Sequence, residues 1–405
     1  VSHAEAIRNV VDVPVMVVGR LHDPEYAEEV LQKGQADLIA MARPLLADPD
    51  LPLKLQQGRI EDLRRCISCQ NCVDSQQQND DLRCAINPMA GREYEFGEAR
   101  CARSKKVVVV GAGAGGMEAA RQAAERGHKV VLLESQAKVG GSLVLASAVH
   151  SDNEPFLTFL QNQLQKLNIE VRLGVTATAN LVSAERPDVA IIATGGKVVK
   201  PLIKGSDNRI VRTGAMLRQA IGNTSDRSEL LHWPIFARLF LPIIAPLMQK
   251  LLTPQRIRRY TRWWMPVGRR VIVVGVDLAA VELAEFLTRR GRRVHLVAEG
   301  KRITPETGAK RRNEHMDRLD SLGVTVNTRI KYLRICDQGL YIEANEKEHL
   351  IPADTIILAG DVQTNSGLAD QLTNRGIKAV AIGDCTGVGL IAKATHEALE
   401  VVYSV

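Results

Sequence analysis

Short apolar runs, each closed by Gly, Asp or Pro, alternate with amphipathic stretches over most of the chain. Val13 to Gly19 (VPVMVVG) is continuously apolar, the pattern of a parallel strand buried on both faces. Asp23-Pro24 then opens a predicted helix through Leu31, and Gly34 closes it. A second strand is expected over Ala36 to Met41, and Asp48-Pro49 starts another helix. Two strands cannot bury themselves, so this segment either borrows further strands or packs on another subunit. Further on, Lys105 to Glu134 reads as strand, glycine loop, helix, strand, and Arg269 to Ala298 repeats the pattern. Val107 falls on Val271, Gly111 on Gly275, Gly127 on Gly291 and Val130 on Val294, a constant offset of 164 without a gap. That repeat predicts an α/β chain with two nested dinucleotide-binding folds.

Composition narrows the picture. A chain of 405 residues with 45% hydrophobic and 24% charged residues suits two or three globular domains, and excludes global disorder and a coiled coil. Aromatics at 4% are few for base stacking, and the net charge of +7 owes much to Arg gathered in one region, so no nucleic-acid partner is expected. No signal peptide is visible, and a cytoplasmic location is expected. The first residue is Val, so the chain reads as a piece of something longer or a processed product.

Four of the seven cysteines sit between Cys66 and Cys84, which argues for a metal or iron–sulfur site over a disulfide framework. Cys66, Cys69 and Cys72 are bunched at two-residue gaps and Cys84 is remote. Four thiolates suit a tetrahedral zinc or a [4Fe–4S] cube; zinc ribbons usually pair two C-x2-C knuckles, so the spacing favours iron–sulfur. Cys101, Cys336 and Cys385 lack partners at ligand spacing and read as small buried residues.

The first glycine loop, Gly111-Ala-Gly113-Ala114-Gly115-Gly116, follows an apolar strand and opens a helix. Gly111 permits the tight turn, Gly113 lets a pyrophosphate approach the backbone, and Gly116 lets helix pack on strand. Glu134 ends the next strand, where a carboxylate holds an adenosine ribose. Gly140-Gly141 follows, and Gly383-Asp384 repeats a strand-Gly-Asp pattern suited to a ribityl chain. Together these indicate FAD. The second loop, Gly275-Val-Asp277-Leu-Ala-Ala280, puts a carboxylate where the pyrophosphate needs a glycine, and Ala298 stands where Glu134 stood, with Glu299 one residue late. Its NAD(P)H site reads as impaired, with retained binding an open alternative.

Leu230 to Leu252 is apolar but broken by Pro234, Pro242, Pro246 and Arg238, a poor spanning helix. Downstream, Arg256, Arg258, Arg259, Arg262, Arg269 and Arg270 interleave with Tyr260, Trp263 and Trp264. This composition suits an interfacial membrane anchor, and equally an inserted hairpin packed on its own domain or a sister subunit. Peripheral membrane contact through 230–270 is therefore an expectation with a packing alternative.

In this order, the motifs resemble the iron–sulfur flavoenzymes that extend an Old Yellow Enzyme-type barrel, a family including 2,4-dienoyl-CoA reductase, 2-enoate reductase, trimethylamine dehydrogenase and histamine dehydrogenase. The carriers are VVGR (Val17 to Arg20), MARPLLADPDLP (Met41 to Pro52), CISCQNC (Cys66 to Cys72), CAINPMAGRE (Cys84 to Glu93), the first glycine loop, ATGG (Ala193 to Gly196) and AIGDC (Ala381 to Cys385). The resemblance implies that Gly19, Arg20, Ala42 and Arg43 end the last two barrel strands and bind an FMN phosphate. It implies that Cys66, Cys69, Cys72 and Cys84 ligate a [4Fe–4S] cluster, and that Gly111, Gly113, Ala114, Gly116, Glu134, Gly141 and Asp384 contact FAD.

The fold expected is then α/β: the C-terminal remnant of a TIM barrel (1–60), a cysteine-rich cluster segment (61–103), and two nested Rossmann-like domains. The FAD-binding domain takes 104–208 and returns at 366–405; an apolar, Arg-rich insert takes 209–267 and an NAD(P)-type domain 268–365. The family's acid and base residues lie in barrel strands with no counterpart here, so no catalytic residue is assigned and this stretch alone is incomplete. The leading reading is an oxidoreductase that reduces an enoyl or dienoyl small-molecule substrate with NAD(P)H through FAD, [4Fe–4S] and FMN. One alternative is an amine dehydrogenase passing electrons to an electron-transferring flavoprotein, favoured by the cysteine spacing and the impaired second loop. Another is a non-catalytic redox subunit docked on a barrel chain, and a zinc-stabilised binding module is the remotest. A homo-oligomer is expected.

Overall fold

A computed structural model describes residues 1–97, 103–199, 201–213, 253–265, 267–359 and 361–405. The apolar run Leu230 to Leu252 and Cys101 lie outside the described residues.

The chain begins with a helix, Ser2–Arg8, and two parallel strands, Met16–Val18 and Leu38–Ala40, joined by the helix Pro24–Gln32. Asp23 caps that helix by accepting from the Glu25 amide, and Pro24 begins it, as the sequence signals predict. Both strands are shorter than the apolar runs. Only Val17 of the first is buried, while Met16 and Val18 are 58% and 68% exposed. The expectation of two covered faces is not met among these residues, because the pair has no further strand beside it.

Lys106–Val110, Lys129–Glu134, Glu170–Leu173, Val189–Ile192 and Ala379–Ala381 form a five-stranded parallel sheet, with Lys106–Val110 at its centre. Val107 to Val110 are almost wholly buried. Each such valine is worth roughly 1.5–3 kcal/mol of burial, which fixes the strand that launches the first glycine loop. The helices Ala114–Glu125, Glu154–Lys166 and Ile391–Tyr403 share the core on one face.

A second five-stranded parallel sheet holds Arg270–Val274 at its centre, flanked by Arg293–Val297 and Thr355–Leu358. Val211–Thr213, inside the range expected to be insert, is an edge strand of this sheet. An antiparallel three-stranded sheet (Lys331–Cys336, Gly339–Ala344, Lys347–Pro352) packs against it. The short antiparallel pair Lys197–Val199 and Asp361–Gln363 links the two nucleotide folds. The protein is thus a mixed α/β chain built on two Rossmann-like parallel sheets.

Pro254–Trp263 is a helix capped by Thr253, and its Ile257 packs on Ala148. Arg258 bonds the Ser147 carbonyl and pairs with Glu154. Trp263 and Trp264 are 87% and 70% exposed. Among the described residues, no helix is long and apolar enough to cross a membrane.

Candidate redox and nucleotide sites

The cysteine segment is turned by backbone that few residues adopt. Ser68 and Gln70 both have positive φ (52° and 60°), although neither is glycine. The turns bring Cys66, Cys69, Cys72 and Cys84 to the wall of one cavity, with Arg43, Leu46, Ile67 and Gln70. Among the described residues, no three His, Cys, Asp or Glu side chains form a group that could hold a single metal ion. Burial pushes the Cys66 and Cys72 thiols up, and pushes Cys84 to about 12. Against that trend, backbone amides donate to the sulfurs: Ser68 to Cys66, Val73 to Cys72, Ile86 and Asn87 to Cys84. Amides aimed at sulfur favour thiolate, and a bound cation would offset the rest of the burial cost.

Two helices grip this segment from the nucleotide folds. Arg311, on Ala309–Ser321, donates to the Cys69 carbonyl at 2.9 Å and to Glu282 at 2.9 Å. Gln70 bonds Glu314 at 3.0 Å. From Ile391–Tyr403, Thr395 donates to the Ala85 carbonyl at 2.8 Å and His396 Nε2 to the Cys84 carbonyl at 3.0 Å. Burial holds the His396 pKa down, so the ring is neutral and that nitrogen carries the proton. Sequence reasoning missed Arg311, Thr395 and His396, since nothing in their spacing ties them to cysteines far away in the chain.

Gly19, Arg20, Ala42 and Arg43 come together at the ends of the two N-terminal strands, around a second cavity that also includes His22, Pro44 and Cys66. Arg43 and Cys66 line both cavities, so they form a shared wall. Arg43 is oriented by Gln70 at 3.2 Å, and Arg20 reaches Asp152 of the first nucleotide fold at 3.5 Å. His22 was not singled out from sequence. Its pKa is lowered, chiefly by burial, so it faces the cavity neutral near pH 7.

The first glycine loop has the geometry of an open cradle. Gly111 has φ 97°, and a Cβ there would meet the Ala193 carbonyl oxygen at 2.4 Å. A Cβ on Gly116 would lie 1.9 Å from the Gly111 carbonyl oxygen, so only glycine lets the helix approach the strand. A Cβ on Gly113, by contrast, meets nothing within 4 Å. Gly113 caps the helix Ala114–Glu125 without any side-chain bond. Glu134 is buried at the end of its strand; Oε2 accepts from the Ala112 amide at 2.7 Å and Oε1 from the Gln136 amide at 2.8 Å. Gly141 packs over the loop, its would-be Cβ 3.0 Å from the Gly113 Cα. Asp384 lies beyond Gly383 (φ 67°) and accepts from the Gly389 amide at 3.1 Å.

The second loop differs. Asp277 caps the helix Leu278–Thr288 by accepting from the Ala280 amide at 2.9 Å, and Glu306 accepts from the Leu278 amide at 2.5 Å. Cys385 is buried and Cys336 half-buried.

Two parallel Rossmann-like sheets, one open glycine cradle and a cysteine-walled cavity beside a barrel-type strand mouth are the marks of a flavin-dependent oxidoreductase. Residues 105–398 match the family described as pyridine nucleotide-disulphide oxidoreductase, and residues 2–62 the NADH:flavin oxidoreductase / NADH oxidase family. The chain belongs to the former, joined here to a segment of the latter, as in the barrel-extended flavoenzymes it resembles. An NADH oxidase of Thermoanaerobacter brockii is 33% identical over 99% of this chain and 57% of its own length. An N,N-dimethylglycine/sarcosine dehydrogenase of Chromohalobacter salexigens is 40% identical over 48% of this chain and 29% of its own. The solved structure of a 2-naphthoyl-CoA reductase bound to 2-naphthoyl-CoA matches at TM-score 0.82 and 28% identity, covering 99% of this chain and 56% of that one. The chain spans little more than half the length of the first of these relatives and of the solved structure.

Proposed function

We propose that this chain is the electron-transfer part of a flavin- and iron–sulfur-dependent oxidoreductase whose complete form reduces a conjugated acyl substrate of the enoyl or dienoyl class. The observation that carries the reading is the shared wall: Arg43 and Cys66 line both the cysteine cavity and the strand-end cavity. In this reading Cys66, Cys69, Cys72 and Cys84 hold a [4Fe–4S] cluster; Gly19, Arg20, Ala42 and Arg43 hold an FMN phosphate; and Gly111, Gly113, Ala114, Gly116, Glu134, Gly141 and Asp384 hold FAD. A cavity walled by four sulfurs suits a group with volume of its own better than a lone zinc ion. A cluster carries electrons singly and a flavin singly or in pairs, which is the chemistry such a set supplies when bound.

The chain's own residues do the positioning. Arg43 offers a guanidinium to a phosphate on one side while facing the sulfur cavity on the other. Arg311 and His396 fix the Cys69 and Cys84 carbonyls from two folds, so the sulfur loop is clamped from both sides. The exposed Met16, Val18 and Leu38 present an apolar strand surface that fits further barrel strands, on this polypeptide or on a partner chain. The 2-naphthoyl-CoA reductase likeness supports the acyl-reductase reading.

A second reading, an amine dehydrogenase passing electrons to an electron-transferring flavoprotein, is favoured by the carboxylates at the second loop. Exposed Tyr260, Trp263 and Trp264 beside Arg259 and Arg262 support peripheral contact with an anionic membrane.

Anaerobic purification tests the proposal. Iron, acid-labile sulfide and FAD should copurify, giving a brown protein that dithionite bleaches, and an enoyl-CoA should reoxidise the reduced protein once the barrel strands are supplied in its complete form. A colourless, iron-free chain contradicts it. Bleaching by trimethylamine instead selects the second reading.

A further inference from the structure

We infer that the second nucleotide fold is closed by its own carboxylates and takes no pyridine dinucleotide. The closure itself stands on the fold's geometry.

A dinucleotide binds a fold of this kind by setting its pyrophosphate on the free amides at the helix N-terminus. Here two of those amides, at Leu278 and Ala280, are engaged. Asp277 takes the Ala280 amide at 2.9 Å and Glu306 takes the Leu278 amide at 2.5 Å. A pyrophosphate would have to displace two groups of its own sign from the positive end of the helix. The adenosine ribose would also meet Ala298, buried at 3% exposure just past the strand Arg293–Val297, at the position where Glu134 ends its counterpart, and the exposed Glu299 comes one residue late.

Glu306 is no chance visitor. Its loop crosses the glycine turn, with the Thr304 amide donating to the Val276 carbonyl at 2.5 Å. The first fold makes the same bond, Gly140 to Ala112 at 2.8 Å, so the crossing is common to both and the carboxylates are the difference. In the second fold the loop is pinned further. Thr304 is fully buried at φ 41°, a strained setting for a β-branched residue. Thr307 bonds it at 2.9 Å, and Arg312 binds the Thr307 carbonyl at 2.6 Å. Beyond the loop, Asp74 of the cysteine segment accepts from the Lys310 amide at 3.1 Å, and a Cβ on Gly308 would lie 2.0 Å from its carboxyl carbon. The backbone that carries Glu306 is therefore tied to the sulfur loop.

The test is isothermal titration of NADH, and separately NADPH, into the anaerobic holoprotein and its Ala279→Glu variant, with flavin and iron assayed on the same samples. Ala279 is exposed in the first turn of the helix, where an added acid is well tolerated and adds negative charge at the end a pyrophosphate would approach. We expect no saturable binding up to about 1 mM (a binding free energy of about −4 kcal/mol or weaker), or binding that Ala279→Glu leaves unchanged because it lies elsewhere. Micromolar binding that Ala279→Glu weakens tenfold or more, with flavin and iron intact, overturns the inference. Loss of flavin or iron from the unmodified protein would instead indict the proposed function and leave the titration readable.

Discussion

The two nucleotide folds share a scaffold and differ at the mouth. Both start their central strand the same way: the Lys106 amide donates to Asp188 at 2.7 Å, and the Arg270 amide to Asp354 at 2.9 Å. Both carry a parallel five-stranded sheet and the same loop crossing. Where a ligand would touch, they part. Gly113 faces open space and caps its helix with nothing, while Asp277 and Glu306 fill the corresponding amides. The features that build the sheet have been kept in both copies. Those proposed here to hold a phosphate and a ribose are present in one.

That contrast is breakable by substitution. The largest expected effect is Gly113→Val, which should abolish FAD binding, by more than about a thousandfold or 4 kcal/mol. Its backbone (φ −77°) admits valine and a Cβ meets no neighbour, so the apo fold should keep its melting temperature and its iron. Next, Gly116→Ala should destabilise the first fold by about 3 kcal/mol, because its Cβ has no room against Gly111; thermal unfolding reads this directly. The second fold already carries Ala280 at that place.

Glu134→Ala should weaken FAD by about 10–100-fold, since it removes the ribose acceptor and orphans the buried Ala112 amide; fluorescence titration of the apoprotein measures it. Asp277→Ala should cost only about 1 kcal/mol, the worth of a helix cap, and leave FAD affinity untouched.

The smallest effect is in acid. Glu185 is held to about 2, below its usual 4.5, by hydrogen bonds from Arg172 and Lys106. Its folded pKa is depressed, so its contribution is present above pH 4.5 and fades as pH falls through about 2. Glu185→Gln should flatten an acid titration of the first fold within that window, and the Arg270–Asp354 pair should leave a similar, separate loss in the second.

Sequence pattern carried the two β-α-β units and the bunched cysteines, because strand, glycine loop and thiol spacing are local. It also exposed Asp277 as foreign to a phosphate loop. It could not reveal Glu306, whose role depends on where a loop crosses, nor the clamping of the sulfur loop by Arg311 and His396 from far along the chain. The shared wall of Arg43 and Cys66 is equally a product of tertiary packing. The N-terminal strands were legible as strands, but their exposed outer residues were not, because an apolar run says nothing about whether a covering layer is present.

The most direct measurement is a count of dinucleotides by native mass spectrometry of the anaerobic holoprotein in excess NADH. The account predicts one dinucleotide, FAD, beside the iron–sulfur cluster and the FMN mononucleotide, with the mass unchanged by the added NADH. A further increment of one NADH per chain, lost in Ala279→Glu, would contradict it.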